Sequence, residues 1–209
     1  MNWNAPNKID SRKNNIERYQ SIFNNKIPSD KEYWSLCGDL SSSNNEYEQI
    51  INAGLIEPYQ FNGIEKEKDI YQQNKLIYPD LKFHHGTINN VICEAEIFNP
   101  AILNIDTMLE VKKGLKLFFD IIFFIIKHEV KDCLISLNYM LNNPWNNSDK
   151  CYRSDYFLEH INKNQSYIKT YNIAKNKGWE ILPNIYTYER GTGERSKTVM
   201  QTIYLSNKT

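Results

Sequence analysis

Five times in succession this chain runs through a short, mostly apolar stretch, stops at a turn residue or an acid, and passes into residues with helical spacing. The apolar runs are 33–37, closing on Gly38; 60–64, closing on Glu65; 81–85, closing on Gly86; 101–105, closing on Asp106; and 133–141. The stretches after them read as helices. Ser41 to Asn45 offer N-cap oxygens before Tyr47, Ile50, Ile51 and Leu55, and Gly54 marks that helix's end. Ile70, Leu76 and Ile77 form the next, stopped by Pro79; 88–97 ends at Asn99-Pro100; 108–128 and 156–176 follow, the last closed by Gly178. Parallel strands need a crossover of a dozen or more residues, and a helix supplies it, so this alternation predicts a parallel sheet covered on both faces. The ending breaks the pattern: 179–189 and 198–205 are strand-like with only 190–197 between them, which predicts an antiparallel hairpin. The expected fold is therefore α/β, a three-layer sandwich whose seven-stranded, mostly parallel sheet carries an antiparallel C-terminal hairpin.

Two hundred and nine residues fit one domain of ordinary size, and 41% hydrophobic with 13% aromatic side chains is ample material for one core. We expect a single domain over 1–209, with an N-terminal helical extension at 1–30 and the core at 31–206. The extension rests on the stripe Ile9, Ile16, Tyr19, Ile22 and Phe23, with Pro28 as its stop. In 108–128, Leu115, Phe118, Ile122 and Ile125 line one face and Lys113, Lys116, Asp120 and Lys127 the opposite one. The longest apolar stretch, 115–126, is too short for a membrane span of about 20 residues, so it reads as a buried helix and no membrane partner is expected. Met1 to Asp10 is polar, export is not expected, and the location indicated is cytoplasmic.

Charge and cysteine usage narrow the function classes. Twenty-five basic and 25 acidic residues cancel, so attraction to nucleic acid or anionic lipid would need a local patch. Cys37, Cys93, Cys133 and Cys151 lie too far apart for CxxC motifs and read as buried thiols. His84, His85, His128 and His160 have no metal-ligand spacing. GxSxG, a Walker loop and a full GxGxxG are all missing, which sets hydrolase, phosphate-loop and nicotinamide-dehydrogenase readings aside.

Open parallel sheets bind ligands beyond the C-terminal ends of their strands. At or just after those ends stand Cys37, Gly38 and Asp39; Glu65 and Lys66; His85 and Thr87; Asp106; and Asn138 and Tyr139. A lone glycine is also what a plain turn needs, and Glu65 also fits a solvated strand end. Asp106 reads either as a proton acceptor that orients a nucleophile or as the cap of the long helix after it. One of Asn138 and Tyr139 should face the cleft, but alternation alone does not say which.

Five alternating units with a closing antiparallel hairpin resemble the class I, Rossmann-like, S-adenosylmethionine-dependent methyltransferase family, over about residues 30 to 206. The resemblance implies that Trp34-Ser35-Leu36-Cys37-Gly38-Asp39-Leu40-Ser41 is the first cofactor motif, keeping one of its usual two or three glycines. It implies that Glu65, followed by Lys66, holds the two ribose hydroxyls of S-adenosylmethionine, work for which a carboxylate has the acceptors. It places His85-Gly86-Thr87 near the adenine and Asp106, Asn138 and Tyr139 at the catalytic or acceptor side. Asn143-Pro144-Trp145 is similar to the Asn/Asp-Pro-Pro-aromatic motif of amino-group DNA methyltransferases, but it has one proline and follows the fifth strand, so it reads as a turn.

The function this implies is S-adenosylmethionine-dependent methyl transfer. Nucleic acid is the favoured acceptor, because Trp145, Tyr152, Arg153 and the basic Arg190, Arg195 and Lys197 could line a cleft; a small molecule or a protein stays open. The rival is a catalytically inactive methyltransferase-fold protein that works as a binding module, with Phe119, Phe123 and Ile126 exposed for a homodimer.

Overall fold

The computed structural model describes residues 6–96, 98–140, 161–182, 186–190 and 198–207. It divides into two compact units, Met1–Asn104 and Ile105–Thr209, whose boundary falls inside one long strand.

The first unit runs α1 (Pro6–Phe23), β1 (Glu32–Leu36), α2 (Glu46–Asn52), β2 (Phe61–Glu65), α3 (Lys68–Ile77), β3 (Lys82–His85), α4 (Ile88–Glu94) and the start of β4 (Pro100–Glu110). Its strands lie in the order β3-β2-β1-β4, all parallel, with Leu36 opposite Ile64, Glu65 opposite His85 and Ser35 opposite Asn104. All five residues of β2 are buried, as expected of a strand packed on both faces. Tyr33, Trp34, Phe61 and Ile64 are each at most 1% exposed and form the centre of this core. Helix α1 ends at Phe23, where its apolar stripe ends: Asn24 and Asn25 take the left-handed conformation at φ 52 and 73, and Asn25 N–H donates to Gln20 O at 2.8 Å. One detail departs from the sequence expectation. Helix α3 forms as expected, yet Leu76 and Ile77 are 82% and 42% exposed while Asn74 is fully buried. An amide is needed on that side.

The second unit holds the rest of β4, then α5 (Val111–Lys127), β5 (Leu134–Met140), α6 (Gln165–Asn176), β6 (Glu180–Ile181), β7 (Tyr186–Arg190) and β8 (Thr198–Ser206). Strand β5 lies between β4 and β8, and β8 runs antiparallel to it from Leu134↔Ser206 to Met140↔Met200. The run 179–189 is laid down as two pieces, β6 and β7, both antiparallel to β8. In sequence, Pro183 stands between them, and proline cannot donate to a sheet ladder. Parallel units ending in an antiparallel hairpin are thus present as expected.

Strand β4 extends to Glu110, so α5 starts three residues later than its spacing suggested. Leu115, Phe118, Ile122 and Ile125 are buried, and Lys113, Lys116, Asp120 and Lys127 exposed, as expected of that helix. The expected dimer face is not present: Phe119 and Ile126 are 4% and 8% exposed, and only Phe123, at 60%, is open. Phe119 is used inside the unit, stacked on Tyr167 of α6 with ring centroids 4.6 Å apart and planes at 9°. Cys37 and Cys133 are buried but Cys93 is exposed, against the expectation; Cys151 lies outside the described residues. Among the described residues, no helix is long and apolar enough to cross a membrane.

Candidate functional site

The register brings the candidate residues of the first unit to one edge. With Leu36 opposite Ile64 and Glu65 opposite His85, strands β1, β2 and β3 end side by side, so Gly38, Glu65 and His85 close adjacent strands. Gly38 is buried with φ 60, a left-handed turn that suits glycine. Cys37 Sγ lies 3.8 Å from Ile64 O and packs over Gly63, where an added Cβ would stand 3.0 Å from the sulfur.

Glu65 is 7% exposed. Its Oε1 accepts the Glu67 N–H at 2.8 Å, which fixes the carboxylate's rotation, and its main-chain oxygen accepts the Gly86 N–H at 3.0 Å, tying the ends of β2 and β3 together. Among the described residues, no donor reaches the second carboxylate oxygen. Lys66 is exposed and faces Glu67 at 3.4 Å, a solvent-screened pair of little energetic weight. His85 is exposed; its Nε2 donates to Lys66 O at 3.1 Å, which places the proton on that nitrogen, and its ring lies 5.1 Å from Tyr71. Thr87 is the N-cap of α4, with Oγ1 accepting from Asn90 N at 3.4 Å.

The turn after β1 is held by side chains that the sequence alone did not single out. Asn74, fully buried on α3, donates from Nδ2 to Gly38 O at 2.7 Å and accepts the Leu40 N–H at Oδ1 at 3.0 Å. Asp39 Oδ1 accepts the Ser41 N–H at 2.8 Å. Asn45, also fully buried, accepts the Glu48 N–H as N-cap of α2 and donates to Leu40 O at 2.9 Å. Beside this turn sits Glu46, whose Oε1 takes hydrogen bonds from Tyr33, Ser35 and Asn104. Their only sequence signal is weak: Glu46 stands four residues before the buried Ile50, and Asn74 four after Ile70, at spacings that share a helix face.

The electrostatics follow from this burial. The Cys37 thiol is pushed well above its ordinary pKa by burial, then by the charges of Glu46 and Glu65, so it stays protonated and is no nucleophile. Tyr33 is likewise pushed well up, by burial first and the Glu46 charge second, and remains a phenol that donates.

In the second unit, Asp106 lies within β4 and its Oδ1 accepts from Asn138 Nδ2 of β5 at 2.9 Å. Thr107 Oγ1 donates to Asn138 O at 3.0 Å. The helix-cap alternative for Asp106 is overturned, because four more strand residues separate it from α5. Tyr139 follows on β5, paired in register with Gln201. Asn143-Pro144-Trp145, Tyr152, Arg153, Arg195 and Lys197 lie outside the described residues.

No family model and no curated protein matches the sequence. Solved structures match the fold. The chain is similar to the Escherichia coli protein yhhF, at 11% identity and a TM-score of 0.52, covering 98% of this chain and 89% of that one. It is similar to a SAM dependent methyltransferase from Archaeoglobus fulgidus, at 10% identity and a TM-score of 0.51, covering 94% and 93%. The O-methyltransferase from Bacillus cereus, in complex with SAH, matches at 8% identity and a TM-score of 0.50, covering 97% and 82%. The chain therefore has the class I, Rossmann-like methyltransferase fold.

Proposed function

We propose that this protein binds S-adenosylmethionine at the C-terminal ends of β1, β2 and β3 and transfers its methyl group. One observation carries the proposal: Glu65, buried at the end of β2 beside the turn at Gly38, has one carboxylate oxygen fixed by Glu67 N and the other without a donor among the described residues. That donor set fits the cofactor. A vicinal diol needs closely spaced acceptors on a group that cannot rotate away, and the Glu67 contact supplies the restraint. The left-handed Gly38 lets the main chain turn beside it without a Cβ.

S-adenosylmethionine, when bound, supplies a methyl group on a sulfonium that a nucleophile displaces in line. The chain's own part is then positional. Glu65 orients the nucleoside, Asn74 keeps the 38–40 turn in one conformation, and Asp106, held by Asn138, is the candidate to receive or orient the acceptor's proton at its carboxylate. The acceptor class we favour is nucleic acid, on the aromatic and basic residues Trp145, Tyr152, Arg153, Arg190, Arg195 and Lys197.

A second reading has an observation in its favour. Gly38 O and Leu40 N–H are bound by Asn74 and Ser41 N–H by Asp39, so these polar groups of the turn are satisfied within the protein. A binding module that keeps the fold without the chemistry would look the same there. Calorimetry with S-adenosylmethionine and with its demethylated product separates the two. Under the enzyme reading both give heat, and Glu65→Ala weakens binding by roughly 1 to 3 kcal/mol, the cost of donors left unpaired. No heat from a folded sample overturns it.

A further inference from the structure

The first turn of α2 buries a carboxylate that no motif points to. Glu46 is 3% exposed. Its Oε1 accepts from Tyr33 OH at 2.8 Å, Ser35 Oγ at 2.5 Å and Asn104 Nδ2 at 2.9 Å, and Asn104 Oδ1 in turn accepts from Tyr19 OH at 3.5 Å. All three donors to Glu46 are neutral. Among the described residues, no lysine, arginine or histidine pairs with it, and no donor reaches Oε2, which keeps contact with solvent.

Such an arrangement is costly if it serves packing alone. Taking a charge out of water is expensive, and neutral donors spread that charge without cancelling it. A wholly apolar set in place of Glu46 and its three donors would pack there at less cost. Favourable placement at a helix N-terminus offsets only part of that cost, and α2 is only seven residues long. What the site lacks is a cation. Its position says where one would come from: Ser35, which holds Glu46, lies three residues before Gly38, and the Cys37 thiol between them feels the charges of both Glu46 and Glu65.

We propose that Glu46 is a second ligand-binding carboxylate of this crevice, taking at Oε2 the positively charged sulfonium or ammonium group of the nucleoside whose diol Glu65 holds. The proposal rests on the cofactor reading above. It assigns the two carboxylates separate tasks, Glu65 for the neutral sugar and Glu46 for charge. Tyr33, Ser35 and Asn104 act through Glu46: by loading Oε1 they fix the plane of the carboxylate and leave Oε2 as its one open acceptor.

The test is calorimetry with three probes on wild type, Glu46→Gln and Glu65→Ala. S-adenosylmethionine carries both positive groups, S-adenosylhomocysteine only the ammonium, and 5′-methylthioadenosine neither, while all three share the base and the diol. Glu46→Gln keeps the shape and an oxygen for the three donors. It should weaken S-adenosylmethionine about tenfold or more, roughly 1.4 kcal/mol, and leave 5′-methylthioadenosine within about twofold. Glu65→Ala should weaken all three. An equal loss on every probe with Glu46→Gln makes the residue structural and overturns the proposal, as does no loss on any. If wild type binds none of the three, the cofactor reading itself fails, a result distinct from both. Should Glu46→Gln not fold, wild type decides: S-adenosylmethionine must bind more tightly than 5′-methylthioadenosine by about tenfold at low salt, with the ratio shrinking as salt rises, and equal affinities overturn the proposal.

Discussion

Asn74 of α3 is bound to Gly38 after β1 by a hydrogen bond of 2.7 Å from its amide to the glycine carbonyl, and the same side chain accepts the Leu40 N–H two residues on. One side chain thus offers the turn a donor and an acceptor in the way a neighbouring peptide group would. Only asparagine has both at this length; aspartate lacks the donor and leucine lacks both.

Asn74→Leu should therefore lower stability by about 2 kcal/mol or more, since Gly38 O and Leu40 N–H are left buried and unpaired. Urea denaturation reads the loss, and hydrogen exchange at Leu40 should speed up with it. A variant as stable as wild type, with Leu40 still protected, would show that the turn does not depend on this amide.

Gly63 predicts a second cost nearby. A Cβ there would meet Phe83 Cδ1 and Cε1 at 2.7 and 2.8 Å and Cys37 Sγ at 3.0 Å. Phe83 is itself 8% exposed and packs edge-on to Phe61 with centroids 6.3 Å apart, so its ring has little room to move. Gly63→Ala should destabilise by about 1 to 3 kcal/mol through overpacking, and Phe83→Leu in the same chain should recover part of that. Thermal melts of wild type and the two variants decide it.

His84 sets a pH dependence whose sign can be worked out. Its ring stacks on Trp34 at 4.8 Å, and its Nε2 lies 3.1 Å from Asn62 Oδ1. Asn62 Nδ2 is turned to Gln60 O, so the ring nitrogen is the donor. Burial lowers the His84 pKa below 6.5, Glu32 opposes that and Lys82 adds to it. Below pH 6.5 the unfolded chain then holds more protons at this position than the folded one, so stability falls as the pH drops. His84→Gln should flatten the fall in urea midpoint between about pH 7 and pH 5. An unchanged slope would locate the acid sensitivity elsewhere.

How much of this was legible beforehand depends on the range of the interaction. Gly38, Glu65 and Asp106 could be found because each closes an apolar run, a local signal in consecutive residues. Glu46 and Asn74 could not, since what they bind lies 11 to 58 residues away in one case and 34 to 36 in the other. The apolar spacing of α3 misled for the same reason: propensity built the helix, but the polar turn it packs against chose Asn74 for the inside and left Leu76 in water. Phe119, expected on a dimer face, is instead stacked on Tyr167, which lies 48 residues away. Asp106 read either as a proton acceptor or as a helix cap, and the strand's run on to Glu110 removes the cap.

The ends of three helices share one device, and one of them uses the wrong residue for it. After α2, Gly54 N–H donates to Ile51 O and Leu55 N–H to Ile50 O; after α6, Gly178 N–H donates to Lys175 O and Trp179 N–H to Ala174 O. The glycines sit at φ 68 and 84. After α5, Glu129 N–H donates to Ile126 O and Val130 N–H to Ile125 O in the same pattern, but with a glutamate at φ 54. A side chain in that conformation costs about 1 to 2 kcal/mol, and its negative charge stands at the negative end of the helix. Glu129→Gly should raise stability by about 1 kcal/mol, the strain relieved less the extra freedom glycine gives the unfolded chain. Glu129→Gln should recover only the part that salt screens. Gly54→Ala is the converse: nothing lies within 4 Å of the added Cβ, so any loss measured there is backbone strain alone. Melting the three variants at low and high salt tests the set, and a Glu129→Gly chain no more stable than wild type would mean that the α5 end adjusts its backbone at no cost.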